Sequence, residues 1–223
     1  MTAVLRVAIA VGAKDLRIEM RGRNLFGTVL PFSMTLLIAF GLAFGPGVTR
    51  LAAIAPGLLW VAIVFSAVLV IRRAYEIEGE NDALETFVLA PVEKAALFLG
   101  KAGSTALQLI ALEALLSVAA AVLLGLTPDA HMLFFVAALQ LGTAGLVLMG
   151  TLFGLAAHSQ RAREALFPLI LFPLVTPVIV AAIEASQPGV APSEATSWLL
   201  LLVAYDVVAA VLGCALFGFL LED

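Results

Sequence analysis

The sequence predicts an all-α membrane protein with six transmembrane helices, an amphipathic N-terminal helix and a short helix between the second and third spans. Of the 223 residues, 63% are hydrophobic and 13% are charged, and the apolar residues form six long stretches separated by Gly, Pro and charges. A helix rises about 1.5 Å per residue, so about 20 residues cross the roughly 30 Å hydrocarbon layer. The spans form one transmembrane domain over residues 1–223. They are predicted at residues 25–44, 51–71, 102–124, 132–157, 165–183 and 198–221.

The distribution of basic residues predicts the orientation. Eleven of the twelve Lys and Arg residues precede the first span or lie in the second and fourth loops, and only Arg50 falls on the other side. Short loops rich in Lys and Arg stay in the cytoplasm. We therefore expect a multi-pass protein of a bacterial inner membrane, with both termini cytoplasmic. Its charges are divided among membrane flanks and form no stripe, which argues against nucleic-acid binding.

Residues 3–23 read as a basic amphipathic helix lying on the lipid headgroups. At 100° per residue, four apolar side chains share one arc: Leu5, Ile9, Leu16 and Met20. Four basic side chains share another: Arg6, Lys14, Arg17 and Arg21. A large apolar arc beside a basic face is typical of an interfacial helix whose partner is the bilayer. The alternative is an ordinary basic flank.

Two spans have unusual compositions. The fourth holds Gly150 and Gly154 in a GxxxG spacing, which allows close helix approach and in a multi-span protein more often serves packing within the chain than dimerisation. The fifth holds Pro168, Pro173 and Pro177, each of which removes a backbone donor. That helix is either a bent packing element or a moving one.

Polar residues at membrane depth are candidate functional residues, because a charge near the bilayer centre costs about 2.5–3.5 kcal/mol on insertion scales. Glu113 lies midway along the third span, Asp206 lies in the sixth, and Gln108 is a less costly companion. Neither acid has a basic partner at matching depth, so we expect both to face the interior, protonated or bonded to Ser and Thr hydroxyls. They either tie helices together or line a gating or translocation path.

Catalysis by this chain is not expected. The nearest approach to a nucleotide P-loop, residues 95–102, lacks the first glycine and the Ser or Thr that would hold magnesium. HExxH, GxSxG and Cys/His clusters are missing from the sequence, so we predict neither catalytic nor metal-binding residues. The only cysteine, Cys214, lies within the sixth span. If ATP drives this protein, another subunit must hydrolyse it.

The segment between the second and third spans is the most distinctive polar stretch. Residues 81–89 read as a short helix with Glu85 in its first turn, Leu84 and Phe87 on one face, and Pro91 preventing its continuation. A short amphipathic helix on the cytoplasmic side suits docking of a soluble partner. The alternative is a solvated helix that only stabilises the hairpin.

This segment carries a family resemblance. The pair Leu84 and Glu85, followed by Pro91, resembles the coupling segment of ABC-2-type export permeases. Within that group the chain is similar to the CcmB family of cytochrome c maturation permeases, through Ala-Pro-Gly-Leu-Leu-Trp-Val-Ala at 55–62 and Phe-Pro-Leu-Val-Thr-Pro at 172–177. The resemblance extends over nearly the whole chain.

The resemblance implies a permease subunit that works with a separate CcmA-like ATP-binding subunit. CcmC-like and CcmD-like membrane proteins would complete the assembly, and a periplasmic CcmE-like haem chaperone would act with it indirectly. ATP would bind to the partner. Haem would be cargo at most, because haem iron normally takes His, Met or Cys ligands and the two histidines, His131 and His158, lack a tryptophan-rich platform.

In this interpretation, ATP hydrolysis drives either haem export or the release of haem-loaded chaperone. The residues expected to couple to the ATPase are Glu76, Glu80, Leu84, Glu85, Phe87 and Pro91. Two other functions stay open: an ABC-2-type permease for a glycan, lipid or drug, and a membrane scaffold that transports nothing.

Overall fold

The structure is a computed structural model, and it describes residues 2–45, 48–80, 91–126, 132–158 and 163–222. Regular structure in these ranges is helical throughout. The α-helices are α1 (Thr2–Gly22), α2 (Leu30–Phe44), α3 (Val48–Glu80), α4 (Lys94–Leu124), α5 (Met132–His158), α6 (Arg163–Ala185) and α7 (Pro192–Glu222). A π-helical turn, Leu25–Val29, leads into α2.

The six predicted spans are confirmed as helices long and apolar enough to cross a membrane. Their bounds are Leu25–Phe44, Leu51–Glu78, Lys94–Leu124, Met132–Ala157, Phe167–Ala185 and Pro192–Leu221. Three boundaries differ clearly from the prediction. Helix α3 continues past residue 71 to Glu80, α4 begins at Lys94 rather than at residue 102, and α7 begins at Pro192 rather than at residue 198. Hydropathy shows only where the apolar sequence ends. A helix can continue beyond that point when its charged side chains form ion pairs.

Charged residues of α3 find such partners along their own helix. The Glu76 carboxylate lies 3.4 Å from Arg72 Nη2 and 3.5 Å from Arg73 Nη1. These spacings of four and three residues place the side chains on one helix face. Residues 72–80, which the sequence suggested were part of a loop, therefore form the last turns of α3.

The chain enters the bundle through a tight turn after α1. Arg23 has a positive φ of 51°, and the Glu19 carboxylate accepts a hydrogen bond of 2.5 Å from the Leu25 backbone N–H. Further along, the hydroxyls of Ser33 and Ser66 lie 2.5 Å apart and link α2 to α3. Both hydroxyls are buried, and each also lies within hydrogen-bond distance of a backbone carbonyl one turn earlier in its own helical segment. The contact between the two hydroxyls therefore adds a polar link between α2 and α3.

Glycines on α5 allow α3 to pack closely against it. A side chain at Gly142 would collide with the Trp60 ring, and one at Gly150 with Ile71. At Gly154, an added Cβ would lie 2.5 Å from Cε2 of Tyr75. The Gly150–Gly154 pair thus serves packing within the chain, which is the more common role that its spacing predicts.

The N-terminal helix α1 packs along α4. A Cβ added at Gly100 would lie 2.5 Å from the Ala8 carbonyl oxygen, and one at Gly12 would lie 3.1 Å from the Gly100 carbonyl oxygen. The predicted N-terminal helix is therefore present and belongs to the bundle. Its position on the membrane surface remains a prediction.

Helix α6 accommodates all three of its prolines within Arg163–Ala185. The Thr176 hydroxyl donates to the Phe172 carbonyl at 2.8 Å, and the Tyr205 hydroxyl of α7 donates to the Leu174 carbonyl at 2.9 Å. These bonds tie the proline-containing stretch internally and to α7.

The predicted helix at residues 81–89 lies outside the described residues, and with it Leu84, Glu85 and Phe87. Its neighbours on both sides are described. Helix α3 ends at Glu80, and Pro91 occupies an exposed bend shortly before α4 begins.

Candidate functional site

A cluster of charged side chains occupies the end of the bundle where α3 ends and α4 begins, here called the charged cluster. It comprises Lys14 and Asp15 of α1, Glu78 of α3, and Lys101 with Ser104 of α4. Lys101 Nζ lies 2.5 Å from Glu78 Oε2, an ion pair without hydrogen-bond alignment, and both side chains are at most 5% exposed. Lys14 Nζ lies 3.5 Å from Glu78 Oε1 and 3.1 Å from Asp15 Oδ1. Glu78 therefore pairs with lysines from two other helices.

A hydroxyl extends the cluster between α1 and α4. Ser104 Oγ donates to Asp15 Oδ2 at 3.3 Å and to the Lys101 carbonyl at 2.8 Å, two acceptors that share its single proton. Asp15 thus forms an ion pair with a lysine of its own helix and accepts a hydrogen bond from a hydroxyl of α4. Charges removed from water need such partners, because the desolvation penalty is several kcal/mol per ion.

Tyr75 connects the cluster to α5. Lys101 Nζ lies 4.4 Å from the centre of the Tyr75 ring, within the range of a cation–π interaction. The Tyr75 hydroxyl donates to the Thr151 carbonyl, and its ring lies against Gly154. The cluster therefore joins four helices, α1, α3, α4 and α5, within two turns of Glu80, the last residue of α3.

The predicted coupling residue Glu76 lies outside this cluster. Its side chain is 36% exposed and is paired with Arg72 and Arg73 of its own helix. Glu76 and Glu78 are two residues apart, which places them about 200° apart around α3. One acid therefore holds the bundle together, while the other remains accessible.

Glu113 of α4 is buried against α5. Its side chain is 1% exposed, and the Thr143 hydroxyl donates to Oε1. This is the interior placement that the insertion cost predicts. In the described part of the chain, Glu113 Oε2 and Trp60 Nε1 are both buried without a hydrogen-bond partner. The Trp60 ring rests on Gly142, the residue before Thr143.

Asp206 meets another face of α5. It is half-buried, and a Cβ added at Gly145 would lie 2.7 Å from its Oδ1. Thr143 and Gly145 are two residues apart and so face nearly opposite directions on the helix. The structure therefore brings both acids to α5 without forming a carboxylate pair.

Gln108 belongs with the charged cluster rather than with Glu113. It lines a small cavity of about 30 Å³ together with Asp15, Glu78 and Thr105. Its role as a companion of the intramembrane acids stays a prediction. Four residues separate Gln108 from Ser104, so both lie on the same face of α4.

Sequence reasoning missed the pairing of Lys101 with Glu78. In the sequence, Lys101 directly precedes the predicted third span, and Glu78 lies in an acidic stretch after the predicted second span. One signal in the sequence could have indicated this pair. An acidic residue follows the second span and a basic residue precedes the third, so the two lie on the same side of the membrane. Hydropathy could not reveal that both are buried, because burial depends on α1 covering them.

Within the described ranges, no three His, Cys, Asp or Glu residues lie close enough together to hold a metal ion. His131 and the side chain of His158 lie outside what the structure describes.

The six apolar helices and their buried polar ties define a multi-pass helical membrane protein. A family model described as "CcmB protein" matches residues 6–220. The chain belongs to the CcmB family, which confirms the resemblance carried by its motifs.

Several relatives bear the name heme exporter protein B. That of Paracoccus denitrificans is 30% identical over 207 residues, covering 89% of this chain and 91% of the relative. That of Pseudomonas aeruginosa is 29% identical over 195 residues, covering 86% and 87%. That of Rhodobacter capsulatus is 29% identical over 184 residues, covering 81% and 82%.

Proposed function

We propose that this chain is the permease subunit of an ABC-type complex for cytochrome c maturation. The family match over residues 6–220 carries the proposal, supported by relatives named heme exporter protein B. Haem is the cargo, exported directly or released on a loaded chaperone. The chain itself is not an enzyme, and it lies in the bacterial inner membrane with both termini in the cytoplasm.

The proposed partners follow from the family. A CcmA-like subunit binds and hydrolyses ATP, CcmC-like and CcmD-like proteins lie beside the permease in the membrane, and a CcmE-like chaperone receives haem outside. The ATPase docks on the segment after α3. Its contact residues are Glu76, Glu80, Leu84, Glu85, Phe87 and Pro91.

The charged cluster supports a mechanical role for α3. In this proposal, ATP binding in the partner displaces residues 81–90 and with them the end of α3. Glu78 is paired with Lys14 and Lys101, so a displaced α3 must carry α1 and α4 with it or leave buried charges unpaired. A movement that begins at the ATPase contact is thereby transmitted to α3, α1 and α4.

Glu76 suits a different task. Its carboxylate is accessible and shared by two arginines of its own helix. Exposed pairs of this kind contribute about 0–1 kcal/mol. A basic residue of the ATPase can therefore replace one arginine at little cost, which makes Glu76 a suitable contact point.

In this proposal, the two intramembrane acids contribute the polar side chains of a gate within the helix bundle. Glu113 and Asp206 both lie against α5, the helix that also receives Tyr75 and Trp60 of α3. A shift of α3 along α5 would therefore disturb the surroundings of Glu113 first. Gln108 participates through the charged cluster that it adjoins.

The proposal is tested by affinity purification of the tagged chain from native membranes, together with deletion of its gene. We expect a co-purifying ATP-binding subunit and CcmC-like protein, and loss of haem-stained c-type cytochromes that the restored gene reverses. Normal cytochromes in the deletion strain would contradict the proposal. A co-purifying ATPase in such a strain would instead favour a permease for another substrate.

A further inference from the structure

A large apolar groove runs between α1 and α4 on the surface of the bundle. Its volume is about 1020 Å³, at the upper end of the roughly 300–1,000 Å³ typical of ligand pockets. Leu5, Ile9 and Leu16 line one wall, and Leu99 and Leu107 line the other. Leu5 and Ile9 are each 62% exposed and Leu107 is 55% exposed, so the groove leaves much apolar surface uncovered.

The glycines of the two helices shape this groove. Gly12 and Gly100 bring α1 and α4 close together along its floor. Gly103, one turn further along α4, also lines the groove, and a Cβ added there would meet nothing within 4 Å. The space beside Gly103 is therefore open, and a longer side chain would occupy it without disturbing the helix contact.

A stripe of arginines borders the apolar wall of α1. Arg6 and Arg17 are eleven residues apart, which returns to nearly the same side of a helix, and Arg21 follows one turn later. All three are exposed. Lys14 is not part of this surface, because it pairs with Asp15 and Glu78.

The acids near the groove are few. Glu93 lines its end at the start of α4, and Asp15, at the inner edge, is paired with Lys14. On the α1 side, the exposed charges beside the apolar wall are therefore mainly cationic. A ligand that fits this surface has an apolar body and an anionic group.

We propose that this groove binds an anionic phospholipid, with an acyl chain between α1 and α4 and its phosphate on Arg17 and Arg21, which lie one turn apart beside Leu16 of the apolar wall. Guanidinium groups bind phosphate oxygens with paired, charge-assisted hydrogen bonds. The apolar wall and the arginine stripe lie on adjacent sides of one helix, as the chain and the headgroup of a lipid require. This proposal is independent of the role in haem export.

A second copy of the chain fits this surface less well. In a two-fold symmetric dimer the same patch faces itself, so each arginine stripe would approach its own copy. Like charges brought together at an interface oppose association. An anionic lipid instead neutralises the stripe, which is why the charges favour it as the occupant.

Native mass spectrometry of the detergent-purified full-length chain tests the proposal. The protein is titrated with dioleoyl phosphatidylglycerol and dioleoyl phosphatidylcholine, which share acyl chains and differ in headgroup charge. We expect preferential retention of phosphatidylglycerol. Each arginine near an anionic lipid contributes roughly five-fold, so Arg17→Gln with Arg21→Gln should remove most of the preference, whereas Arg73→Gln should leave it intact.

The acyl-chain site is tested separately with Gly103→Leu, which fills the groove. It should reduce retention of both lipids several-fold, while Gly57→Leu, at another open helical position, should not. Equal retention of the two lipids by the unmodified chain, or unchanged retention in Gly103→Leu, would overturn the proposal. A dimer that disappears in Gly103→Leu while lipid retention persists would identify a second copy as the occupant.

Discussion

At the residue scale, the stability of this fold depends on Glu78 and its two lysines. The carboxylate is almost fully buried and lies between Lys14 of α1 and Lys101 of α4. A buried charge that loses its partner costs more than the pair contributed, because desolvation is then uncompensated. Replacing one partner should therefore destabilise the protein more than replacing both partners of the pair.

We predict that Lys101→Met destabilises the protein by about 3–5 kcal/mol, since the buried Glu78 would keep only Lys14 as a partner, at 3.5 Å and with a side chain that is 39% exposed. For a chain of this size that corresponds to a melting temperature lowered by about 10 °C. Adding Glu78→Leu should recover much of the loss. Melting in detergent, followed by tryptophan fluorescence, measures both effects.

Arg73→Met is the matched control, because Arg73 is 42% exposed and pairs with the accessible Glu76. Its effect should stay below about 1 kcal/mol. Equal losses for Lys101→Met and Arg73→Met would contradict the assigned burial of the cluster.

The second residue-scale prediction concerns Glu113 and its donor. Thr143→Val keeps the shape but removes the hydroxyl that donates to Glu113, and an unsatisfied buried group costs about 1–3 kcal/mol. Glu113→Gln should be tolerated, while Glu113→Leu should weaken assembly or cytochrome maturation. The same contrast is expected for Asp206→Asn and Asp206→Leu.

A double-mutant cycle decides whether Thr143 and Glu113 act together. Thr143→Val combined with Glu113→Leu should cost less than the sum of the single changes, because both polar partners are then absent. Additive losses would show that the two residues are energetically independent.

At the scale of elements, α3 connects almost every part of the bundle. Trp60, Ile71 and Tyr75 pack on successive glycines of α5, Ser66 contacts α2, and Glu78 reaches α1 and α4. Its last turns lead directly into the segment proposed to contact the ATPase. One long helix thus extends from the interior, where Trp60 packs on Gly142, to the segment proposed to dock the ATPase.

The close packing of α3 on α5 is tested by Gly154→Leu. The Tyr75 ring is restrained by its hydroxyl bond to Thr151 and by Lys101, so it cannot turn aside freely. Overpacking a well-filled contact costs about 1–3 kcal/mol. We expect a lower melting temperature for Gly154→Leu and none of this loss for Gly57→Leu, where the added side chain meets open space. Equal behaviour of the two variants would refute the packing argument.

The proposed coupling helix makes the other element-scale prediction. Truncating apolar anchors in a small interface costs about 1–4 kcal/mol, so Leu84→Ala with Phe87→Ala should leave the chain inserted but lose the ATP-binding subunit. Glu85→Lys should keep weak binding and uncouple hydrolysis from cytochrome maturation. ATPase co-purification and haem staining in one strain measure both.

Leu133→Ala, an exposed apolar position at the start of α5, serves as the control for these variants and should bind the ATPase normally. Full partner recovery and normal cytochromes in the Leu84→Ala, Phe87→Ala variant would favour a solvated helix without a coupling role.

At the scale of the whole molecule, the distribution of Lys and Arg predicts which side of the bundle faces the cytoplasm. Single cysteines at Gly47 or Ser193, in a Cys214→Ser background, should react with an impermeant reagent from outside. Cysteines at Glu80 or Ser159 should react only after the membrane is permeabilised. The opposite labelling pattern would invert the proposed topology and place residues 81–90 out of reach of a cytoplasmic ATPase.

The sequence alone determined the fold class, the number of spans and the family. Long apolar stretches carry this information locally, because backbone in lipid must bond within its own helix and a span needs a minimum length. The interior position of Glu113 followed from the same reasoning, since a charge facing lipid is costly. These conclusions needed no knowledge of which helices are neighbours.

Only the tertiary structure decided which charges are paired and which surfaces are open. Lys101 and Lys94 look alike in sequence, yet Lys101 is buried against Glu78 because α1 and α3 both pack against α4. Gln108 faces the charged cluster, and the groove between α1 and α4 exists because Gly12 and Gly100 let the two helices approach. Such features depend on residues distant in sequence, whose contacts no local pattern encodes.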